Sequence, residues 1–234
     1  MKLKHLIIYS LLLCFSTASA QTLDHTQWTD ILQLYVAENG NVNYKELQKN
    51  RKALNSYLNN LAANAPKVDW SNADKKVFWI NAYNAYTVQL ILDNYPTKSI
   101  KDINDPWEQT FFEIGGKTMS LSTIEHEILR PMGDPRIHFA IVCASESCPK
   151  LLNCAYETET LTDQLDQAAR EFINDPSKNS LTASKLTISK IFKWFKSDFP
   201  KGDGFITYLN KYSNLKISSE AKINFQTYNW SLNE

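Results

Sequence analysis

The chain has 234 residues, with 25 Lys and Arg against 25 Asp and Glu, and 43% of its residues are hydrophobic. A nucleic-acid-binding surface normally requires a surplus of basic residues, so the balanced charge argues against a nucleic-acid partner. The composition is too apolar for a disordered chain. Six Gly and eight Pro are too few for a collagen-like or linker-dominated protein. These counts indicate an ordinary globular protein.

The first twenty residues have the three-part layout of a secretory signal peptide. Lys2 and Lys4 form the charged start, an apolar run covers residues 6–15, and A-S-A at 18–20 provides the cleavage site. The apolar run is shorter than the ~20 residues that span a bilayer. The sequence therefore predicts a cleaved signal peptide and a single domain over residues 21–234. It also predicts a periplasmic or extracellular location and no transmembrane segment.

Cleavage changes the cysteine count. It removes Cys14 and leaves Cys143, Cys148 and Cys154. In an oxidising compartment, an odd number of cysteines leaves at least one thiol without a partner in the chain. An unpaired thiol is a liability there, so its presence suggests a chemical role.

Apolar residues at helical spacing predict helices in the N-terminal part of the chain. A first helix is indicated over residues 28–35 and a second over 44–61. Ser71 is placed to cap a longer helix over about 72–94, which the Tyr95–Pro96 pair would end. That long helix is apolar on most sides, which is typical of a central, buried helix.

The rest of the chain mixes strands and helices. Residues 111–120 predict a β-hairpin that turns at Gly115 and Gly116. The following elements are, in order, a helix over 120–130, an inner strand over 137–143, a helix over 161–173, a strand over 186–188, a helix over 205–212 and a strand over 223–230. This order favours an α+β fold, a single helix-rich domain with a small, largely antiparallel sheet.

Glu125 is the first candidate site residue. On a helix over 120–130 its spacing from the neighbouring apolar residues places it on the apolar face. A buried carboxylate needs a partner, because an unpaired buried charge is costly. That partner is either structural, such as Arg130 or Arg136, or a catalytic imidazole. His126, the next residue, falls at a surface or edge position.

A thiol and an imidazole follow within the next 25 residues. Strand alternation would place His138 among small or apolar neighbours, where it can face a cleft. Cys148 directly precedes Pro149, which is favoured in the first turn of a helix, and a thiol at a helix N-terminus has a lowered pKa. A cysteine nucleophile requires a thiol, an imidazole and a group that orients the imidazole. Cys148, His138 and Glu125 are the candidates for these three roles.

The same residues allow other interpretations. Cys143 and Cys148 are spaced to form a structural disulfide, and His138 would then be a hydrogen-bonded core residue. His138 and the three cysteines also supply zinc-type ligands, although their spacing matches no common zinc motif. Asn81 and Asn84, one helical turn apart, are either buried structural amides or part of the site. The sequence contains no phosphate-binding loop, G-x-S-x-G elbow or H-E-x-x-H segment.

The chain resembles the family named domain of unknown function 547 in several segments that occur in the same order. The segments are F-W-I-N-A-Y-N-A at 78–85, S-T-I-E-H-E-I-L-R at 122–130, D-P-R-I-H-F-A-I-V-C-A-S-E-S-C-P at 134–149, S-K-I-F-K-W-F at 189–195 followed by D-F at 198–199, and Y-N-W-S-L-N at 228–233. Asn229 stands where the resemblance implies Asp. The resemblance implies a papain- or transglutaminase-like core and thiol activity, and on this chain it points to Cys148, His138 and Glu125.

Two functional hypotheses follow. The leading one is an exported cysteine-dependent hydrolase or acyltransferase that acts on an amide or peptide bond, without a metal or cofactor. Its catalytic residues would be Cys148, His138 and Glu125, and its accessory candidates are His126, Cys143, Asn81 and Asn84. The alternative is a non-enzymatic envelope protein, a binding or scaffold module with a structural Cys143–Cys148 disulfide.

Overall fold

The computed structural model describes residues 22–234, and the predicted signal peptide lies outside the described residues. The N-terminal part consists of helices α1 (Thr26–Tyr35), α2 (Tyr44–Lys49), α3 (Lys52–Ala63) and α4 (Asn72–Asp93). The single helix predicted over 44–61 is two helices. The first of them ends because the Asn50 side chain donates a hydrogen bond to the carbonyl of Glu46, in competition with the helical pattern.

Helix α4 is the central element, as predicted. The Ser71 hydroxyl accepts a hydrogen bond from the Asp74 backbone N–H at 3.0 Å, and the Asp74 carboxylate accepts one from the Ser71 backbone N–H. This capping box defines the start of the helix. From Val77 to Leu92 nearly every side chain is buried, because α2 and α3, the hairpin and the π-helix described below surround the helix. Packing on all sides explains why its sequence is apolar in every direction.

The predicted hairpin is confirmed. Strands β1 (Phe112–Ile114) and β2 (Lys117–Met119) pair antiparallel around Gly115 and Gly116. Both glycines have positive φ angles, 60° and 74°, as a type I′ turn requires. The hairpin packs on α4, where the ring of Phe112 stacks on Tyr86 with centroids 3.8 Å apart.

The helix predicted over 120–130 is mainly a π-helix, Thr123–Leu129, followed by a 3-10 turn at Arg130–Met132. The prediction of an inner strand over 137–143 is wrong. A 3-10 helix, Pro135–Phe139, occupies its first part, and the remainder has no regular structure. Asp134 caps that helix by accepting a hydrogen bond from the Arg136 N–H at 3.1 Å, and Pro135 suits its first turn.

The prediction of a helix that begins at Pro149 is also wrong. Cys148 lies in a turn in which its N–H donates to the carbonyl of Ser145 at 2.9 Å, and no helix begins directly after it. Helix dipole stabilisation of the Cys148 thiolate is therefore absent. The properties of this thiol depend on its immediate neighbours instead.

The C-terminal part contains α5 (Leu161–Asn174), β3 (Ser180–Leu181), β4 (Lys185–Ile188), α6 (Ile191–Trp194), α7 (Asp203–Tyr212) and β5 (Lys222–Phe225). Strand β4 is central in a three-stranded sheet, antiparallel to β3 and parallel to β5. This sheet is thus mixed, and the final strand ends at Phe225, short of the predicted residue 230. The helix-rich α+β architecture with small sheets is as predicted.

Two hydrophobic clusters form the core. The first surrounds α4, and the second is formed by α5, β4, α6 and α7. Cys143 and Trp230 are partly buried residues that pack against both clusters. The segment with the two candidate thiols thus lies along the boundary between the clusters. Within residues 22–234, no helix is long and apolar enough to cross a membrane.

Candidate functional site

A cavity of about 330 Å³ contains most of the residues that the sequence singles out. Its wall includes Glu125, His126, His138, Cys143 and Cys148. The rest of the wall is mostly aromatic, with Tyr83, Trp107, Trp194, Phe195, Tyr228 and Trp230 among its residues. An apolar cavity with a few converging polar groups is the usual form of a small-molecule or catalytic site.

His138 is held firmly in this wall. Its side chain is 1% exposed, and its ring stacks on Phe195 with centroids 4.0 Å apart. Its Nε2 atom lies 2.8 Å from Oδ2 of Asp198. Burial lowers the pKa of His138 to about 4 although Asp198 acts in the opposite direction, so the imidazole is neutral at pH 7.

Asp198 determines which nitrogen of His138 carries the proton. Arg130 donates to this carboxylate from Nε at 2.6 Å and from Nη2 at 2.8 Å. The guanidinium holds the pKa of Asp198 well below its usual range, so the carboxylate is ionised and only accepts hydrogen bonds. The proton of His138 must then be on Nε2, which leaves a lone pair on Nδ1.

The Nδ1 atom of His138 is buried and has no hydrogen-bond partner among the described residues. Leaving a buried polar atom without a partner is energetically unfavourable, so its presence next to a cavity calls for a functional explanation. A neutral imidazole with a free lone pair is a base that can accept the proton of a nearby thiol or bound substrate.

Glu125 does not hydrogen-bond to His138, and Asp198 occupies the orienting position for which the sequence suggested Glu125. The Tyr83 hydroxyl donates to Glu125 Oε2 at 3.1 Å. Glu125 is 7% exposed, and this burial raises its pKa to about 7, so the carboxyl is protonated for part of the time at neutral pH. It lies on the π-helix, a type of element that is frequently found at functional sites.

His126 belongs to the network around Asp198. Its Nδ1 atom lies 2.8 Å from Nη1 of Arg130, the arginine that also binds Asp198. The lone pair on this nitrogen accepts from the guanidinium, so the imidazole is kept neutral and the pKa of His126 is lowered by burial and by Arg130. His126 thus supports the position of Arg130 from the edge of the cavity.

Cys143 and Cys148 are both free thiols and lie in direct contact. Their Sγ atoms are 3.0 Å apart, and the Cys143 backbone N–H donates to Cys148 Sγ at 2.9 Å. The hydroxyl oxygens of Ser145 and Tyr228 lie 3.2 and 3.4 Å from Cys143 Sγ. A single proton can be shared between the two sulfur atoms, which therefore ionise as a pair.

The two thiols differ in their environment. Hydrogen bonds from Cys148, and then from Ser145 and Tyr228, lower the pKa of Cys143. Burial, followed by the interaction with Cys143, raises the pKa of Cys148. Cys143 is half-buried, whereas Cys148 is 6% exposed. The thiolate of the pair is therefore assigned to Cys143, and Cys148 holds its proton more strongly.

The loop that contains the thiols is fixed by the C-terminal segment. Ser145 forms an isolated β-bridge with Leu232, and the Glu146 N–H donates to the carbonyl of Ser231 at 2.8 Å. Asn229, which stands where the family resemblance implies Asp, accepts from the Ser231 N–H through its side chain at 3.0 Å. That contact is local and does not require a charge.

Asn81 and Asn84 do not line the cavity. Each side chain forms two hydrogen bonds with the backbone, Asn81 with Tyr156, and Asn84 with Ala140 and Val142. Asn84 thereby fixes the non-helical segment that leads to Cys143. The structural interpretation of both amides agrees with these contacts.

Cys154 is separate from the other two cysteines and does not line the cavity. Its Sγ atom lies 4.0 Å from the side-chain nitrogen of Gln164. In the part of the chain that the structure describes, no group of three or more His, Cys, Asp and Glu is placed to hold a metal ion. The zinc set of His138 and three cysteines is thus not assembled.

Sequence reasoning missed Asp198 and Tyr228 as site residues. Both occur in segments that carry the family resemblance, but no local pattern relates them to His138 or Cys143, since they are 60 and 85 residues away along the chain. An acidic residue within an otherwise aromatic and basic segment, K-W-F-K-S-D-F at 193–199, was the available indication.

The family model described as "Protein of unknown function, DUF547" matches residues 68–173. The matched range includes Glu125, His138, Cys143 and Cys148, whereas Asp198 and Tyr228 lie beyond it. No curated protein and no solved structure matches the chain.

Proposed function

We propose that this chain, whose residues 68–173 match the DUF547 family model, is a cysteine-dependent hydrolase or acyltransferase. Its substrates would contain an amide or peptide bond, and its chemistry would be of the papain or transglutaminase kind. We retain the expectation from the sequence that it acts outside the cytoplasm. The observation that carries the proposal is the buried, unpaired Nδ1 of His138 in a cavity that also contains two thiols.

In the proposed reaction, the neutral imidazole takes the thiol proton and the thiolate attacks the carbonyl carbon of the substrate. The ionised Asp198 stabilises the imidazolium that forms, through the 2.8 Å contact with Nε2. The imidazolium then protonates the leaving amine as the C–N bond breaks, which leaves a thioester. Water or a second amine attacks the thioester, releases the acyl group and returns the thiol.

We assign the nucleophile to Cys143. The sequence suggested Cys148 because a helix was expected to begin directly after it, and that helix is absent. Cys143 is the more exposed of the two residues, and hydrogen bonds with Cys148, Ser145 and Tyr228 lower the pKa of Cys143. Cys148 would act as the donor in one of these hydrogen bonds.

Glu125 would act as a proton donor in the same cavity. A carboxyl with a pKa of about 7 can supply a hydrogen bond or a proton to the oxygen or nitrogen of a bound acyl group. Its fixed contact with Tyr83 keeps one oxygen occupied. The other oxygen makes no hydrogen bond with the described residues.

The test is acylation by p-nitrophenyl acetate and by a panel of peptidyl anilides, followed by mass spectrometry of the tryptic peptides. We expect a thioester on Cys143, its loss in Cys143→Ala, and slower acylation in His138→Ala. Cys154→Ala is the matched control and should behave as the wild type. An adduct on Cys148 would support the assignment made from the sequence. Equal acylation of a protein that lacks both Cys143 and Cys148 would contradict the proposal.

A further inference from the structure

We propose that Cys143 and Cys148 also form a reversible redox pair that reacts with small disulfides. Cys143 would be the attacking thiol and Cys148 the resolving thiol. This reaction does not depend on acyl transfer, because it requires only the two sulfur atoms. It differs from the structural disulfide considered above, since the pair would exist in both states.

The first support is the distance between the sulfur atoms. They lie 3.0 Å apart as thiols, and a disulfide bond is about 2.05 Å long, so a displacement of about 1 Å would join them. The loop is already fixed by the β-bridge between Ser145 and Leu232 and by the bond from Glu146 to Ser231. These backbone contacts lie outside the two side chains and would persist in the oxidised form.

The second support is the difference in access. Both thiols belong to residues of the cavity wall, but Cys143 is half-buried, while Cys148 is only 6% exposed. A dithiol that exchanges with an external disulfide requires one reachable thiolate and one protected thiol close to it. The hydroxyl groups of Ser145 and Tyr228 are positioned to stabilise the thiolate form of Cys143.

The reaction has two steps that balance. The Cys143 thiolate attacks one sulfur of the small disulfide, its S–S bond breaks, and one small thiolate leaves and takes up a proton. The Cys148 thiol then gives its proton to His138 or water and attacks Cys143 Sγ, which releases the second small thiol. The pair is oxidised by two electrons, and the small disulfide is reduced to two thiols.

The chain permits a direct assay. Trypsin cleaves after Arg136 and Lys150 and produces peptide 137–150, which contains Cys143 and Cys148 but not Cys154. Reduced protein is incubated with oxidised and reduced glutathione in varied ratios, quenched with acid and alkylated with iodoacetamide. As the ratio of oxidised to reduced glutathione rises, we expect peptide 137–150 to appear without alkyl groups. Its mass should then be two hydrogens below that of the unalkylated dithiol peptide. Dithiothreitol should restore both alkylated cysteines.

Two variants define the order of the steps. In Cys148→Ser the mixed disulfide between Cys143 and glutathione has no resolving thiol, so glutathione should remain attached to Cys143. Cys143 in this variant should be alkylated at least about tenfold faster than Cys148 in Cys143→Ser, because of its greater thiolate fraction and access. Cys154→Ala should give the wild-type result and is the control.

Alkylation of both cysteines at every glutathione ratio would overturn the proposal. A glutathione adduct that accumulates equally in the wild type and in Cys148→Ser would also overturn it, because Cys148 would then not act as the resolving thiol. Acylation of the reduced protein is measured separately. Its absence would contradict the proposed hydrolase and leave the redox result unaffected.

Discussion

At the residue scale, the position of a single carboxylate controls the chemistry of His138. Asp198 accepts the Nε2 proton and is kept ionised by Arg130. Without that charge, the other tautomer of the imidazole becomes available and the imidazolium loses its partner. The proposed activity therefore depends on a residue that is distant in the sequence.

For Asp198→Asn we expect the rate of Cys143 acylation to fall by at least about 100-fold, the lower end of general-base contributions. Circular dichroism should show an unchanged fold, since Asn still accepts a hydrogen bond from Arg130. Lys196→Ala, an exposed neighbour, is the control and should retain the wild-type rate. An unchanged rate in Asp198→Asn would show that His138 is not the base.

Glu125→Gln should change how stability depends on pH. The pKa of Glu125 is raised from 4.5 to about 7 by burial, so the folded protein binds this proton more tightly than the unfolded chain. Below pH 4.5 the carboxyl therefore has no effect on the free energy of unfolding. Its destabilising effect grows between pH 4.5 and 7 and is complete above pH 7. Gln keeps the contact with Tyr83 and removes this effect, which is at most about 3 kcal/mol.

Urea denaturation at several pH values measures this prediction. Glu125→Gln should match the wild type near pH 4.5 and exceed it increasingly up to pH 7 and beyond. Glu127→Gln is the matched control, because Glu127 is exposed on the same π-helix. Identical profiles for the two variants would contradict the buried position of Glu125.

Sequence reasoning found the part of the site that is local in the chain. Glu125, His138, Cys143 and Cys148 lie within 24 residues of one another, and the structure places all four in one cavity. That Asp198, and not Glu125, is the partner of His138 was not predictable, because this contact joins residues 60 positions apart in the chain. Their relative position depends on how the two hydrophobic clusters pack.

At the element scale, periodic helices were predicted and irregular buried segments were not. Amphipathic spacing identified α1, α5 and α7, an apolar run between Ser71 and Pro96 identified α4, and the glycine pair identified the hairpin. The segment 137–143 is apolar on both sides because both clusters cover it, so its sequence does not distinguish a strand from a buried turn. The loop that follows, which contains both thiols, is defined by tertiary hydrogen bonds. Such bonds produce no periodic pattern in the sequence.

Gly40 provides a test of how closely this loop is packed. Its φ angle is +87°, and a Cβ atom there would lie 2.4 Å from Cβ and 2.8 Å from Cα of Lys150, two residues after Cys148. Gly116 also has a positive φ angle, +74°, but a Cβ atom there would meet nothing within 4 Å. Gly116→Ala should therefore cost only the backbone strain, about 1 kcal/mol.

Gly40→Ala should cost clearly more than Gly116→Ala, because the backbone of Lys150 must move in addition to the strain. Chemical denaturation of both variants measures the difference. The displacement should also increase the alkylation rate of the protected Cys148. Equal losses of stability in the two variants would contradict the close approach of Gly40 to the loop.

At the scale of the whole molecule, the site depends on parts of the chain outside the family match. Helices α2 and α3 cover α4, Asp198 follows α6, and the C-terminal segment fixes the thiol loop. A fragment of residues 68–173 would expose the buried face of α4 and lack Asp198. We expect this fragment not to fold, as judged by circular dichroism and by the binding of a hydrophobic dye. A cooperative unfolding transition in the fragment would contradict this expectation.

The aromatic wall gives the cavity an optical property of its own. Trp107, Trp194 and Trp230 are half of the six tryptophans, and the ring of Trp230 lies 5.7 Å from each of the other two. Thiolates and disulfides quench indole emission at short range, and both sulfur atoms share this cavity. The intrinsic fluorescence of the unlabelled protein should therefore follow the state of Cys143 in real time, with Trp28, Trp70 and Trp79 as a constant background.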